Sequence, residues 1–311
     1  MKDQPLAGGV RVRIGVVTPV LVQVPGVHSS WERGAGIAEI ARIAETADRL
    51  GFHHLTCSEH VAVPVDAAGQ RGGTYWDPLA TLGFLAARTS RIRLVTQVLV
   101  LGYHHPLEIA KRYGTLDRVS DGRLTLGLGV GSLREEFDLL GAPFTDRGAR
   151  ADDAIRALRA SMSRRMPEFH GEFYDFQDFV VEPHATQERV PLWIGGRTPR
   201  SLRRAVTYGD GWVPFGLGLD QLAEMLDKHQ LPDGFEVVLG TGRPLDPTGD
   251  PDATSRVLTR VRDTGATLVN ATISSTSADH YCEQLEALQR LAQQAGIDTE
   301  PAAAGEEAGT P

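Results

Sequence analysis

The sequence predicts a (β/α)8 TIM barrel with an insertion between its fourth and fifth strands. Three observations carry that reading. β-branched apolar runs alternate eight times with stretches of helical period across residues 12–297. No Pro/Gly/Ser-rich linker interrupts the alternation, and 311 residues is a length that such barrels reach undivided. One stretch, about 141–190, breaks the rhythm without starting a new one.

The elements follow in order. "VRIGVVTP" is a β-branched run closed by proline, and "GIAEIARIAETADRLG" places apolar residues at helical spacing before a glycine stop. The same pairing recurs in "HLTCSE" with "DPLATLGFLAARTS", in "RIRLVTQVLVL" with "PLEIAKRYGTLDRVS", and in "RLTLGLGV" with a helix near "REEFDLL". Past the insertion come "PLWIGG" with "PRSLRRAVTYG", "GWVPF" with "LDQLAEMLDKH", "FEVVLGTG" with "PDATSRVLTRVRDTG", and "TLVNATISS" with "ADHYCEQLEALQRLAQQAG". The insertion holds an extra helix, "GARADDAIRALRASMSR", and a hairpin, "GEFYDFQDFVVEP". A single domain over 12–297 is expected, and residues 298–311, small, acidic and proline-bounded, read as a disordered tail.

Composition excludes several classes. Acids outnumber bases 40 to 32, the net charge is −8, and no run of Lys or Arg offers a stripe for a nucleic-acid backbone. No stretch approaches the apolar length of a membrane span, and the N-terminal residues lack the apolar core of an export signal, so a cytoplasmic protein is expected. Cys57 and Cys282 are too far apart to suggest a metal knuckle or a redox pair and read as small buried hydrophobes.

In such a barrel the chemistry sits at the C-terminal ends of the strands. Only the second strand ends in ligand-type residues, Glu59 and His60, so no metal centre is expected. No strand ends in the lysine that a Schiff base needs. What the ends carry is glycine, which lets a backbone approach a flat or phosphorylated ligand. "GLGVGS" fails the spacing of a dinucleotide fingerprint, and crowding within a barrel strand explains it equally well. "GGRTP" is stronger: Gly195 and Gly196 precede Arg197, Thr198 at a helix N-cap and Pro199 in the first turn, a set suited to a phosphate. "GTGR", ending in Arg243, is a rival phosphate loop.

Taken together, "RLGFHHLTCSEH", the long block from "DPLATLGFLAARTS" to "FTDRGAR", "GEFYDF" and "PLWIGGRTPRSLRRAVTYGDGW" resemble the bacterial luciferase-like flavin and deazaflavin oxidoreductases. The likeness runs from about residue 12 to 215. "DRVSDGRLTLGLGVG" and "RRAVTYGDGW" look most like the branch that uses coenzyme F420. The resemblance implies an F420-dependent reductase or dehydrogenase moving a hydride to or from a small organic substrate, as a homodimer. The alternatives are a monooxygenase using reduced FMN and a flavin- or deazaflavin-binding protein without turnover.

The resemblance also implies roles. Glu59 and His60 would lie beside the ring, and a non-prolyl cis peptide between Gln97 and Val98 would back it. Gly129, Val130, Gly131 and Ser132 would line the ring and ribityl chain, and Gly195, Gly196, Arg197 and Thr198 would hold the phosphate. His60 is expected to face the mouth as the acid/base group, with Glu59 orienting its imidazole. The chain departs from the family's sugar-phosphate dehydrogenases at Ser132, where they have glutamate, and at Pro64, near where they have tryptophan, so their substrate and acid/base scheme does not transfer. Plainer readings serve the rest: His104 and His105 as loop histidines, Glu135 and Glu136 as acids complementing a helix dipole, and Trp31, Trp76, Trp193 and Trp212 mostly as core or rim.

Overall fold

A computed structural model describes residues 11–299. β1 (Arg13–Val16), β2 (His54–Cys57), β3 (Arg93–Val100), β4 (Leu124–Gly129), β7 (Leu192–Gly195), β8 (Gly211–Val213), β9 (Glu236–Gly240) and β10 (Leu268–Ala271) are parallel and close on one another in the order β1-β10-β9-β8-β7-β4-β3-β2. Helices follow the strands outside: α1 (Ile37–Arg49), α3 (Pro78–Arg88), α4 (Pro106–Val119), α5 (Arg134–Leu139), α7 (Pro199–Tyr208), α8 (Leu219–Asp227), α9 (Pro251–Asp263) and α10 (Ala278–Gln294). The expected TIM barrel is the observed fold. Several helices start as the sequence dictates, with Asp77, Thr198, Asp250 and Ser277 capping α3, α7, α9 and α10 through their side chains, and proline in the first turn of the first three.

Alternation along the strands divides two cores. Ile14, Leu55, Leu94, Leu126, Ile194, Val237 and Val269 point outward into the main apolar layer against the helices. Val95, Trp193, Val213, Val238 and Leu268 fill the inside of the barrel, with Val98 against them. The inward set changes along the barrel axis. Near the N-terminal ends it is bulky and polar, with Arg13 bonded to Glu236 and Glu236 to the Trp193 indole. Toward the C-terminal ends it becomes Gly127, Gly129, Gly195 and Gly240, so one end is plugged and the other is left open.

The segment between β4 and β7 holds α5, then α6 (Arg147–Ser161), then a short hairpin of β5 (Phe169–His170) and β6 (Asp175–Phe176). The hairpin lies earlier than the sequence suggested: residues 177–183 form no strand. Buried Asp153 of α6 accepts the N–H groups of Phe173 and Tyr174 at 2.8 and 3.0 Å, which anchors the hairpin and leaves "DFVVEP" without a partner strand. α2 (Val65–Arg71) was not foreseen, because "VDAAGQR" is small, polar and glycine-bearing, and it buries none of its residues. Of the expected tail, residues 300–311 lie outside the described residues; Asp298 pairs with β1, donating to Val12 O at 2.7 Å and accepting from Ile14 N at 3.2 Å.

Candidate active site

A cavity of about 460 Å³ opens at the C-terminal ends of β2, β3, β4 and β7. Glu59, His60, Gln97, Val98, Gly129, Val130, Gly131, Ser132, Gly195 and Gly196 all line it, so the structure brings together most of the residues singled out from sequence. Larger openings of about 610 and 700 Å³ lie at the other end of the barrel, against Leu192 and Arg13, and collect none of these residues.

The back wall is built by β3. The Gln97–Val98 peptide is cis, as the resemblance implied, and the pairing of β3 with β4 shifts between Thr96 and Leu99. Val95 and Val98, three residues apart, therefore both face the barrel interior. Glycines make room for Val98: a Cβ on Gly129 would lie 2.5 Å from Val98 Cγ2, and one on Gly195 2.8 Å from Cγ1. Gly131 and Gly196 have φ of +77° and +142°, a backbone that disfavours any side chain.

The hydrogen-bond partner of His60 differs from the expected one. His60 Nδ1 lies 2.6 Å from Glu136 Oε2, whereas the Glu59 side chain makes no hydrogen bond to it. Glu59 instead binds His104 Nε2 at 2.7 Å and accepts the Val100 N–H at 2.7 Å, which fixes the turn after β3. Glu136 is 1% exposed and also accepts from the Tyr103 hydroxyl at 2.7 Å and from the N–H groups of Val61 and Ala62 at 2.6 and 3.2 Å. Burial alone would raise its carboxyl; the bonds from Tyr103, His60 and Ala62 overcome that and hold it below the usual carboxylate value. An ionised Glu136 only accepts, so His60 Nδ1 carries a proton and Nε2 is left on the cavity wall. Burial opposes the charged form of His104, but its bond to Glu59 outweighs this and raises its pKa. Tyr75 packs edge-on against the His60 ring at 4.5 Å.

Glu136 is therefore no dipole ornament, and sequence reasoning missed it. A signal was present: Leu133, Glu136, Phe137 and Leu140 fall at the spacing of one helix face, placing this acid among apolar residues while Glu135 faces outward. Arg71 and Tyr75, also on the cavity wall, were missed because the short helix carrying Arg71 shows no apolar face. Arg71 donates to Ser132 Oγ at 3.3 Å.

The phosphate candidates divide. Gly195 and Gly196 are on the cavity wall, while Arg197 and Thr198 lie beyond it at the start of α7. Arg197 is exposed, and the Thr198 hydroxyl accepts from Ser201 N at 3.3 Å while its own N–H bonds Ser201 Oγ at 3.1 Å. The rival Arg243 lines a separate cleft beside Asp246 and Asp250. His105 caps α4 by accepting from Leu107 N at 3.2 Å. Trp193 and Trp212 are fully buried, and none of the four tryptophans lines the cavity. Among the described residues no cluster of His, Cys, Asp or Glu could hold a metal, and no helix is long and apolar enough to cross a membrane.

A family model described as luciferase-like monooxygenase matches residues 12–309. The chain belongs to that family. Among sequence relatives of this luciferase-like chain, an uncharacterized protein of Mycobacterium tuberculosis is 31% identical over 198 residues, 60% of this chain and 68% of the relative. The oxygenase component of the flavin-dependent trigonelline monooxygenase of Acinetobacter baylyi is 29% identical over 196 residues, 61% of this chain but only 52% of the relative. Among solved structures, monooxygenase RslO1 of Streptomyces bottropensis superposes with a TM-score of 0.72 at 22% identity, covering 91% of this chain and 99% of that one. The coenzyme F420-dependent tetrahydromethanopterin reductase of Methanopyrus kandleri gives 0.63 at 15%, covering 90% and 98%. At these identities the structural likeness is one of fold. A protein named as F420-dependent and a protein named as a monooxygenase thus share this fold.

Proposed function

We propose that the protein is a coenzyme F420-dependent oxidoreductase that moves a hydride between the deazaflavin and a small organic substrate. The observation that supports it is the His60 imidazole, held through Nδ1 by Glu136 with Nε2 on the wall of a cavity backed by Gln97 and Val98. The residues fit a flat ring. The cavity's volume is in the range of cofactor sites, and the glycines of β4 and β7 let Val98 pack into the wall that a ring would lie against. Gln97, Val98, Gly129, Val130, Gly131 and Ser132 would hold the ring and its chain, and Gly195, Gly196, Arg197 and Thr198 the phosphate. When bound, the deazaflavin supplies a carbon that gives or takes hydride. His60 Nε2 gives or takes the accompanying proton, and Glu136 stabilises the imidazolium in between. Glu59 has no part in that step; its bonds to His104 and Val100 keep the wall after β3 in place.

A second reading, a monooxygenase using reduced FMN, is supported by the A. baylyi relative, whose name specifies a flavin and an oxygenase. Titration of the purified protein with F420 and with FMN, each oxidised and reduced, separates the two. Tight binding of F420 with weak FMN is the expected result; micromolar FMN binding with none for F420 would reject the first reading in favour of the second.

A further inference from the structure

The barrel interior below the cavity holds two histidines that the proposed chemistry leaves unused. Arg13 Nη1 lies 3.0 Å from His53 Nε2, His53 Nδ1 lies 3.0 Å from His54 Nδ1, and His54 Nε2 lies 3.3 Å from Asn270 Oδ1. Asn270 Nδ2 then donates to Gln97 Oε1 at 2.7 Å. Space is set aside for this: a Cβ on Gly15 would fall 2.2 Å from His54 Nδ1. Both imidazoles are neutral, since burial pushes His53 well below its ordinary value and His54 down to about 3.

The chain has only one polarity. A guanidinium donates and never accepts, so His53 Nε2 must accept and the His53 proton sits on Nδ1. That proton goes to His54 Nδ1, which puts the His54 proton on Nε2, facing Asn270 Oδ1. The Asn270 amide is thereby oriented to donate to Gln97 Oε1. Gln97, a residue of the cavity wall, is left with its Nε2 group unbonded within the described protein. We propose that this one-way chain from Arg13 fixes Gln97 as a hydrogen-bond donor into the cavity, where its partner is a carbonyl oxygen of the bound cofactor ring. His53, His54 and Asn270 are positioning residues; Gln97 touches the ligand. The inference rests on the reading of the cavity as a flavin or deazaflavin site, since both rings carry carbonyl acceptors.

Two measurements test it. In the ligand-free protein, 15N NMR of labelled histidines, assigned with a His53→Asn variant, is expected to show His53 protonated at Nδ1 and His54 at Nε2. The opposite tautomers would overturn the chain. F420 and FMN titrations of Gln97→Met and Gln97→Glu then test the donor, with thermal melts confirming that both variants fold. Loss of the donor is expected to weaken the bound ring by about 10-fold in Gln97→Met, and its replacement by an acceptor by about 100-fold in Gln97→Glu. A role in shape alone predicts the reverse order, because Glu is the closer isostere and still accepts from Asn270; near wild-type affinity for Gln97→Glu would therefore overturn the donor. Failure of the wild type to bind either ring, with the expected tautomers in place, would reject the functional reading and the ring as acceptor, and not the chain.

Discussion

His60 Nδ1 and Glu136 Oε2 meet at 2.6 Å across 76 residues of sequence. The contact joins the end of β2 to the first turns of α5 and makes a buried carboxylate the hub of four hydrogen bonds. Glu136→Ala leaves two backbone N–H groups, a tyrosine hydroxyl and an imidazole without their acceptor. It is expected to cost about 3 kcal/mol or more, and Glu136→Gln about 1–2 kcal/mol because one oxygen remains. Urea unfolding of the three proteins checks the order; equal midpoints would mean that water replaces the carboxylate without loss.

Under the proposed function the same contact also sets the chemistry. His60→Ala is expected to slow the chemical step about 10²–10⁴-fold, the usual worth of general acid/base catalysis, while cofactor affinity stays within a few-fold. Single-turnover reaction of bound deazaflavin, with a substrate found by screening, measures this. An unchanged rate would leave His60 as architecture.

The β/α alternation, the cap residues and the C-terminal location of the glycines were legible because each rests on local spacing. The pairing of acids with bases was not. Alternation at the end of a strand places His60 toward the mouth, but it says nothing about what arrives from another element, and sequence adjacency favoured Glu59 over a residue 76 positions away. The cis peptide came from the resemblance alone, since "TQVLV" looks like any buried strand. The chain Arg13–His53–His54–Asn270 draws on β1, β2 and β10 and the turn before β2, and could appear only once the barrel had closed.

Arg197 is exposed at the start of α7, so its attraction to a phosphate is screened by water. Arg197→Ala is expected to weaken cofactor binding by about 1 kcal/mol, roughly fivefold, and Arg243→Ala to do nothing, because Asp246 and Asp250 share the Arg243 cleft. Fluorescence titration of both variants decides between the loops, and the reverse pattern would place the phosphate after β9.

Gly129 tests the back wall. Its absent side chain is what allows Val98 Cγ2 to sit where a Cβ would approach to 2.5 Å. Gly129→Ala must push Val98 into the cavity or β4 away from it. Overpacking of this kind costs about 1–3 kcal/mol of stability, and cofactor affinity should fall about 10-fold or more if the ring lies on Val98. A variant that is less stable yet binds normally would put the ring elsewhere in the cavity.

The second histidine pair gives a pH signature. His104 faces Glu59 at 2.7 Å and Glu108 at 3.6 Å, with Arg112 opposing them; burial lowers its pKa, and the bond to Glu59 raises it further than burial lowers it. A histidine whose folded pKa lies above its ordinary value of 6.5 binds protons more tightly when folded. Its contribution to stability is full below pH 6.5 and is lost as pH rises through the raised folded value. Glu59→Gln removes the charge responsible while keeping an acceptor for Val100 N–H. The wild type should therefore exceed Glu59→Gln in stability most on the acid side of pH 6.5, with the gap closing as pH rises. Denaturant midpoints of both proteins measured across that range provide the check. A gap that does not change with pH would show that Glu59 acts through Val100 and the turn alone, with His104 neutral beside it.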